Sequence, residues 1–203
     1  MRTTPGEIPE ARKYWQLDVS FEFPSAPLRI WMNEEKLRKG FPADPLLPFC
    51  GLQFSEPPKI AFDRKKRRGR LLDADPIMLG IWLISDRLKL LLERIDPEAF
   101  VFMRAEVDYS NFDEPGPGFW FCHIARLLDC VDEEHSVIRY QENISHKNYI
   151  QLIDIKMRPE AVGSAHAFRL TRAKLKQIVD DVFVRAIKKE KIKGFRFVDI
   201  QTS

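Results

Sequence analysis

The sequence predicts an α+β fold, in which a mixed or antiparallel sheet of many short strands carries two capped amphipathic helices packed against it. Two segments place apolar residues at the spacing of one helical face, and each follows a residue that can cap a helix. Several other short segments are rich in aromatic and β-branched residues and alternate between apolar and polar. With 203 residues, 44% of them apolar, the chain is long enough to bury a sizeable core.

Residues 1–80 are rich in proline and contain ten of the chain's fourteen prolines. Residues 14–23 and 28–32 alternate in places between apolar and polar side chains, which is typical of strands. Because proline donates no backbone hydrogen bond to a sheet, we expect edge strands and ordered loops here. We predict that residues 1–80 form an N-terminal subdomain of strands and loops, and that residues 81–203 form the core of the protein.

The first predicted helix begins after Ser85, whose side-chain oxygen can accept a hydrogen bond from the first turn. The apolar stripe that follows has the spacing of one helical face and consists of Leu88, Leu91, Leu92 and Ile95. Pro97 stops the helix. Residues 100–107 then alternate imperfectly, as a partly buried strand does.

The same order of elements returns near the C-terminus, where Asp180 takes the place of Ser85. Fifteen residues separate Ser85 from Phe100, and fifteen separate Asp180 from Phe195. Each pair brackets a helix and leads into an aromatic-x-aromatic strand, FVF in the first copy and FRF in the second. Gly194 suits the turn between them, because glycine adopts a positive φ at little cost. We interpret this as a cap-helix-strand unit used twice, the alternative being chance similarity between two amphipathic helices.

Three apolar runs lie between the two units, at residues 118–132, 148–157 and 166–171. Their aromatic and branched residues predict strands, and we expect these strands to be neighbours. Residues 112–118 and 159–164 contain the proline and glycine of turns and are predicted as loops.

Composition indicates a protein of a reducing compartment. The longest nearly uninterrupted apolar run, residues 76–84, is too short to cross a bilayer, and the first fourteen residues lack the apolar core of a secretory signal. The odd number of cysteines does not make a disulfide framework, so Cys50, Cys122 and Cys130 are predicted as reduced core thiols. The sequence therefore predicts a cytoplasmic protein with no membrane partner.

The net charge of +3 is distributed unevenly. Residues 105–142 carry nine acids against Arg126 and Arg139, and residues 185–196 are basic again. One short segment, called the basic loop below, consists of Arg64, Lys65, Lys66, Arg67, Arg68 and Arg70 with Gly69. Segregation of this kind is informative about partners rather than about the fold.

Two cysteines and two histidines within residues 119–136 raise the question of a metal site. If residues 119–128 form a strand, Cys122 and His123 point to opposite faces and cannot share one ion. The closely paired ligands of structural zinc sites are absent around Cys130 and His135. The sequence thus predicts no metal site and no cofactor.

No motif of an enzyme stands out, so we predict a non-enzyme without catalytic residues. There is no nucleophile elbow and no glycine-rich phosphate loop. The acids at residues 132–134 precede His135 and are typical of a solvated turn rather than of acid–base catalysis. An unrecognised active site around His123, Cys130 and His135 stays open as an alternative.

Four pieces of the second half occur in a recognisable order: LISDRLKLLLE, FWFCHIARLLDCVDEEHS, HAFRL and VDDVFVRAIKKEKIKGFRFVDI. Their order and spacing resemble the bacterial immunity-protein family that is numbered eleven among polymorphic-toxin immunity families and was formerly a domain of unknown function. The matching motifs are the capped helix at residues 85–93, LDCVD with its following acids and serine at 128–136, and KGFRF at 193–197. The resemblance covers residues 81–200, and the basic loop is not part of the family pattern.

The resemblance implies a cytoplasmic antidote, encoded beside a toxin that is secreted or delivered by contact, as in type VI secretion and bacterial competition. Such a protein binds the C-terminal domain of its cognate toxin and blocks it. The family has no catalytic residues to carry over.

The acidic middle of the chain is predicted to dock on a basic toxin surface. Complementary charge speeds encounter, and buried aromatic anchors supply much of the affinity. The predicted contact residues are Tyr109, Phe112, Asp113, Glu114, Asp132, Glu133 and Glu134. The alternative for the acids is that they only solvate turns.

A second hypothesis from another class is a nucleic-acid-binding accessory protein that uses the basic loop together with the basic residues at 188–193. Clustered cations bind phosphates by releasing counterions. No aromatic platform is interleaved with these cations and no nucleic-acid-binding signature accompanies them, so the sequence favours the immunity hypothesis over this one.

Overall fold

The structure, a computed structural model, describes residues 12–20, 26, 28–38, 54–63, 69–78, 80–142, 145 and 147–200. It is an α+β protein, which confirms the predicted class. The strands are β1 Tyr14–Val19, β2 Leu28–Trp31, β3 Lys59–Asp63, β4 Ala74–Met78, β5 Ile81–Ser85, β6 Phe100–Asp108, β7 Phe119–Ile124, β8 Leu127–Leu128, β9 Val137–Tyr140, β10 Tyr149–Asp154, β11 Ala167–Leu170, β12 Ala173–Asp180 and β13 Phe195–Asp199. The helices are α1 Glu34–Arg38, α2 Asp86–Ile95, α3 Pro159–Val162 and α4 Asp181–Lys189.

A six-stranded sheet has the order β2-β3-β6-β7-β5-β4. Its neighbours are antiparallel except for the parallel pair β3 and β6. β5 is buried along its whole length, because its apolar sequence IWLIS packs on both faces. Trp82 and Ile84 face one core, and Ile81 and Leu83 face another.

A five-stranded sheet has the order β13-β1-β12-β11-β8. Its pairs are antiparallel except for β8 and β11, which are parallel. β1, from the beginning of the chain, lies between β12 and β13 from its end. β9 and β10 form a separate antiparallel pair, called the hairpin below.

Both predicted cap-helix-strand units are present. The Ser85 side chain accepts a hydrogen bond from the backbone N–H of Leu88 at 3.3 Å, and that of Asp180 accepts one from Phe183 at 3.0 Å. α2 leads into β6 and α4 leads into β13, as the FVF and FRF motifs predicted. The predicted caps, helices and strands are therefore confirmed.

The likeness of the two units extends to their sheets. In each unit, the strand before the helix and the strand after it flank one antiparallel strand, which is β7 in the first unit and β1 in the second. Trp82 and Gln177 each lie three residues before a cap, and the Trp82 indole N–H donates to the Gln177 side-chain oxygen at 3.0 Å. The two units thus meet at corresponding positions.

Hydrogen-bonded pairs join strands before and after residue 80 in both sheets. β1 pairs with β12 and β13, and β3 pairs with β6. In the part of the chain that the structure describes, each of these two sheets therefore contains strands from both sides of the predicted boundary at residue 80. A division of the chain at that position stays a prediction.

The three apolar runs are neighbours in part. β7 belongs to the six-stranded sheet and β10 to the hairpin, but an antiparallel bridge between Val131 and Met157 joins the ends of the first two runs. β8, from the first run, pairs with β11 of the third.

One local prediction is wrong. The segment predicted as a loop at residues 159–164 contains α3, whose first residue is Pro159. Proline suits that position, since its missing N–H has no partner in the first helical turn.

Three apolar cores hold the sheets and helices together. The central core lies under α2 and α4 and draws on both sheets. The hairpin core lies on the other face of the five-stranded sheet, under the hairpin and α3. The outer core lies on the other face of the six-stranded sheet and includes Phe62, Phe119 and Phe121. Residues that alternate along one strand, such as Ala167 and Phe168, contribute to different cores.

Candidate partner-binding surface

The loop between β6 and β7 carries the first group of predicted contact residues and is built around Tyr109. The Tyr109 hydroxyl donates to the carbonyl oxygen of Pro117, and its ring lies 5.1 Å from the Phe112 ring in an edge-on contact. Burial, followed by the charge of nearby Asp86, raises the pKa of Tyr109 to about 12. The phenol therefore keeps its proton at neutral pH and stays a donor within the loop.

The end of this loop is tied to the start of α2 by Asp86. One carboxylate oxygen accepts a hydrogen bond from the backbone N–H of Gly118 at 2.9 Å, and the other accepts one from the Trp120 indole N–H at 2.6 Å. A carboxylate in the first turn of a helix is also favoured by the helix dipole. Asp86 therefore fixes where the loop ends.

Phe112 is half-buried, and its ring lies 6.3 Å from the Phe62 ring of the outer core. It holds the loop against the sheet. Asp113 and Glu114 follow it and are exposed, with no ion pair to the described residues. Their negative charge is thus presented to solvent.

The second group of predicted contact residues follows β8, and Asp132 there folds the chain back on itself. Its carboxylate lies 2.8 Å from Nδ1 of His135 and accepts the backbone N–H groups of Glu134 and His135, each at 3.2 Å. The His135 hydrogen bond is the main cause that lowers the pKa of Asp132. The negative charge of Asp132 is therefore engaged by hydrogen bonds within its own turn.

Glu133 is held by four side chains. It accepts hydrogen bonds from Lys147 Nζ at 2.6 Å, from the Tyr149 hydroxyl at 2.8 Å and from the Tyr140 hydroxyl at 3.1 Å. The Nε of Arg172 lies 3.4 Å away. The Lys147 hydrogen bond, followed by those of the tyrosines and the charge of Arg172, lowers the pKa of Glu133 to about 2. Glu133 therefore joins the turn, the hairpin and the start of β12.

These acids line an open cleft of about 620 Å³ at the edge of the hairpin core. Its charged lining consists of five acids, three bases and one histidine, namely Asp129, Asp132, Glu133, Glu134, Glu160, Lys147, Arg158, Arg172 and His135. Most of this charge is paired internally: besides the contacts of Asp132 and Glu133, Arg172 lies 3.3 Å from Asp129. Only part of the acidic character predicted here is presented outward.

Replacing Glu133 with glutamine should lower the stability of the protein at neutral pH and leave it nearly unchanged at pH 2. The folded-state pKa lies below the ordinary 4.5, so the stabilisation by the carboxylate is present above about pH 4.5 and is lost as the pH falls toward 2. Urea unfolding of both proteins between pH 7 and pH 2 measures this difference. A difference in stability that does not depend on pH would contradict the role of the ionised carboxylate.

The structure places the two predicted groups on different cores. The loop with Phe112 packs on the outer core, whereas the cleft adjoins the hairpin core through Tyr149. The seven residues predicted from sequence as contacts therefore form two separate surfaces.

Comparison with known proteins identifies the family of this chain. The model of an immunity protein family, Imm11, matches residues 4–202, which is nearly the whole chain. The chain belongs to the Imm11 family. The resemblance predicted from residues 81–200 is thus confirmed, and in this Imm11 protein the match also includes the proline-rich beginning of the chain. No curated protein matches it.

The cysteines and histidines singled out in this Imm11 protein are dispersed. Cys122 lies in the central core and Cys130 in the hairpin core, and burial raises the pKa of Cys130 to about 12. His123 is buried, with Nδ1 3.4 Å from the carbonyl oxygen of Gly80, and His135 is exposed. The described residues contain no group of three or more His, Cys, Asp or Glu side chains arranged as metal ligands.

The basic loop falls largely on residues that the structure does not describe, since 64–68 lie outside the described ranges. Arg70 is described and exposed, as are Lys188 and Lys189 at the end of α4. The backbone N–H of Ala74 donates to the carbonyl oxygen of Lys193 at 2.9 Å, which brings the segment after Arg70 beside the basic C-terminal segment. Within the described ranges, no helix is long and apolar enough to cross a membrane.

Sequence reasoning missed the side chains that organise both surfaces. Asp86 carried a signal, because an acid in the first turn of a helix is a common dipole partner. Lys147 and Arg172 carried no such sequence signal. Arg172 is distant from Glu133 along the chain, and only the folded hairpin brings both bases to this carboxylate.

Proposed function

We propose that this Imm11 protein is a cytoplasmic antidote that binds the C-terminal domain of a cognate toxin and neutralises it by stoichiometric inhibition, without catalysis of its own. The observation that carries the proposal is the family match over residues 4–202. The toxin is secreted or delivered by contact in bacterial competition, as in the polymorphic-toxin and type VI secretion systems. Exposed acids on an ordered loop support binding to a basic surface, because complementary charge accelerates association.

The deciding experiment mixes this protein with the toxin domain encoded beside its gene, made catalytically inactive. Size-exclusion chromatography and calorimetry should show a tight complex of fixed stoichiometry. A toxin domain that is folded and yet does not bind would overturn the proposal for that partner. Nucleic acid binding through the basic loop would then become the leading hypothesis.

Reversing the charge of Asp113, Glu114 and Glu134 together should slow association with the toxin at low salt. These three are chosen because they are exposed, whereas Asp132 and Glu133 hold the fold of their own turn. The effect should shrink as salt rises, since exposed charges are screened within about 10 Å at 0.1 M salt. Stopped-flow association rates measured between about 20 and about 500 mM salt test this effect, because the Debye length shortens as the salt concentration rises. Equal rates for both proteins at low salt would exclude these acids from the encounter.

A further inference from the structure

Within the described ranges of the chain, one face of the six-stranded sheet is left open at β2, β3 and the end of β6. The register places Leu28 opposite Asp63 and Ile30 opposite Ala61. Leu28 and Ile30 are 49% and 45% exposed, and Met32, just after β2, is 60% exposed. Leu28 and Ile30 on the last strand of this sheet, with Met32 just beyond it, thus form a row of large apolar side chains. Contiguous exposed apolar residues commonly mark an interaction surface.

The other residues of β2 show why this row is not part of a core. Trp31 points to the opposite face, where its ring lies 5.0 Å from Phe121. Arg29 points the same way and lies 3.1 Å from the carboxylate of Asp75. These contacts fix which face of β2 is buried, and because side chains alternate, Leu28 and Ile30 must point outward.

Helix α2 covers the same face of the sheet only farther along β6. Lys89 of α2 lies over Phe102 and Trp120, with Nζ 5.1 Å and 4.8 Å from the ring centroids. Beyond these rings, Glu106 and Asp108 are exposed. The open face therefore begins where the cover of α2 ends.

Among the residues that the structure describes, the open face is bordered mainly by negative charge; residues 64–68, which follow Asp63, lie outside them. Asp63 stands on β3, and Glu106 and Asp108 stand on β6. The loop that leaves β6 after Asp108 adds the exposed Asp113 and Glu114.

Two bases lie among these five acids. Lys59 is 3.8 Å from Glu106, and the Arg104 guanidinium is 5.5 Å from the Trp120 ring centroid. An apolar row with an acidic border is complementary to a basic surface that carries apolar side chains.

We infer that this open face, continued by the loop at residues 109–114, is the surface that binds the toxin, and that the toxin covers Leu28 and Ile30 with a basic surface bearing apolar side chains. The inference rests on the proposed function and names the surface and the chemistry of its partner. The open parts of β2, β3 and β6, taken as three strands of about four residues each, cover only roughly 200 Å², because strands lie about 4.8 Å apart and rise about 3.3 Å per residue. A standard interface buries about 800 Å² on each partner, so the adjoining loop is needed as well.

The cleft with Asp132 and Glu133 is the competing surface, and the hairpin beside it supplies a matched control. Val137 and Ile150 of the hairpin are 53% and 52% exposed, much like Leu28 and Ile30. Three of the five acids of the cleft, Asp129, Asp132 and Glu133, are engaged with Arg172, His135 and Lys147. They therefore have less charge to offer a partner than the acids of the open face and its loop.

The test compares the double variants Leu28→Lys/Ile30→Lys and Val137→Lys/Ile150→Lys, each titrated against the inactive toxin domain by calorimetry. We expect the first to weaken binding by at least about 30-fold, the loss typical of removed anchor residues. The second should change the affinity by less than about 3-fold, as peripheral residues do. Both variants place two lysines at equally exposed strand positions, so a general effect of charge would appear in both.

The outcomes separate this inference from the proposed function. If the unaltered protein binds and the Leu28→Lys/Ile30→Lys variant binds equally well, the surface is wrong while the antidote function stands. If the unaltered protein does not bind, the proposed function fails and the inference fails with it.

Circular dichroism would reveal whether the Leu28→Lys/Ile30→Lys variant misfolds. In that case a milder variant, Glu106→Gln/Asp108→Asn, tests the same surface. It should slow association at low salt, and unchanged association rates would overturn the inference.

Discussion

Replacing Asp180 with alanine should lower the free energy of unfolding by about 3–5 kcal/mol, because it removes one partner of a buried ion pair as well as a helix cap. The Asp180 side chain is 0% exposed. It accepts hydrogen bonds from the backbone N–H of Phe183 at 3.0 Å and from Arg12 Nε at 2.8 Å, and it lies 2.8 Å from Nδ1 of His166. Without the carboxylate, the N–H of Phe183 loses its partner and Arg12 loses its counter-charge. Urea unfolding at neutral pH measures the effect.

The matched control is Ser85→Ala in the first unit. Ser85 caps α2 as Asp180 caps α4, but it carries no charge, so its loss should cost about 1 kcal/mol. Asp180→Asn should fall between the two, because the amide oxygen can still cap the helix while the ion pair is lost. If Asp180→Ala costs no more than Ser85→Ala, the contacts with Arg12 and His166 contribute nothing to stability.

The network around Asp180 also joins the two units. His166 contacts Asp180 through its ring, and its backbone N–H donates to Asp96 at 2.8 Å. Asp96 is the C-cap residue of α2, and it also accepts a hydrogen bond from Arg126. The end of α2 and the start of α4 therefore meet at the same short segment before β11. We expect an Asp180 variant to loosen this junction between the units.

The helices could be predicted because their signals are local. The cap residue, the apolar stripe and the stop of α2 all lie within residues 85–97, and those of α4 follow the same spacing. Strand partners could not be predicted in this way. β1 lies between two strands from the other end of the chain, and nothing in its alternation specifies them.

The candidate surfaces show the same limit. Charge patterning indicated Asp113 and Glu114, and both are exposed. It gave no means of knowing that Glu133 is occupied by Lys147 and Arg172, since the hairpin and β12 bring those cations to it. The alternation of β2 likewise predicted a strand without showing which face is buried. The contacts of Trp31 with Phe121 and of Arg29 with Asp75 determine that Leu28 and Ile30 point outward.

Replacing Gly194 with alanine should cost about 4 kcal/mol of stability, one of the largest effects expected of any single methyl group here. Gly194 has φ +118°, which L-residues rarely adopt, and a Cβ there would overlap the carbonyl oxygen of Ala74. The clash is with backbone that is itself held, because the N–H of Ala74 donates to Lys193 at 2.9 Å, and that of Ser20 donates to Gly194 at 3.0 Å. Either β4 or the turn at Gly194, which is hydrogen-bonded to Ser20, would have to move, and thermal or urea unfolding measures the loss.

Gly163→Ala separates the clash from the backbone conformation. Gly163 also has a positive φ, +55°, but a Cβ there would meet no atom within 4 Å, so only the cost of a rarely populated backbone conformation, about 1–3 kcal/mol, is expected. A Gly194→Ala variant as stable as Gly163→Ala would mean that β4 can withdraw from the turn after α4 at little cost. In that case the contact between the end of the second unit and the start of the first would be adaptable, and the junction at Asp180 would be the main fixed link between them.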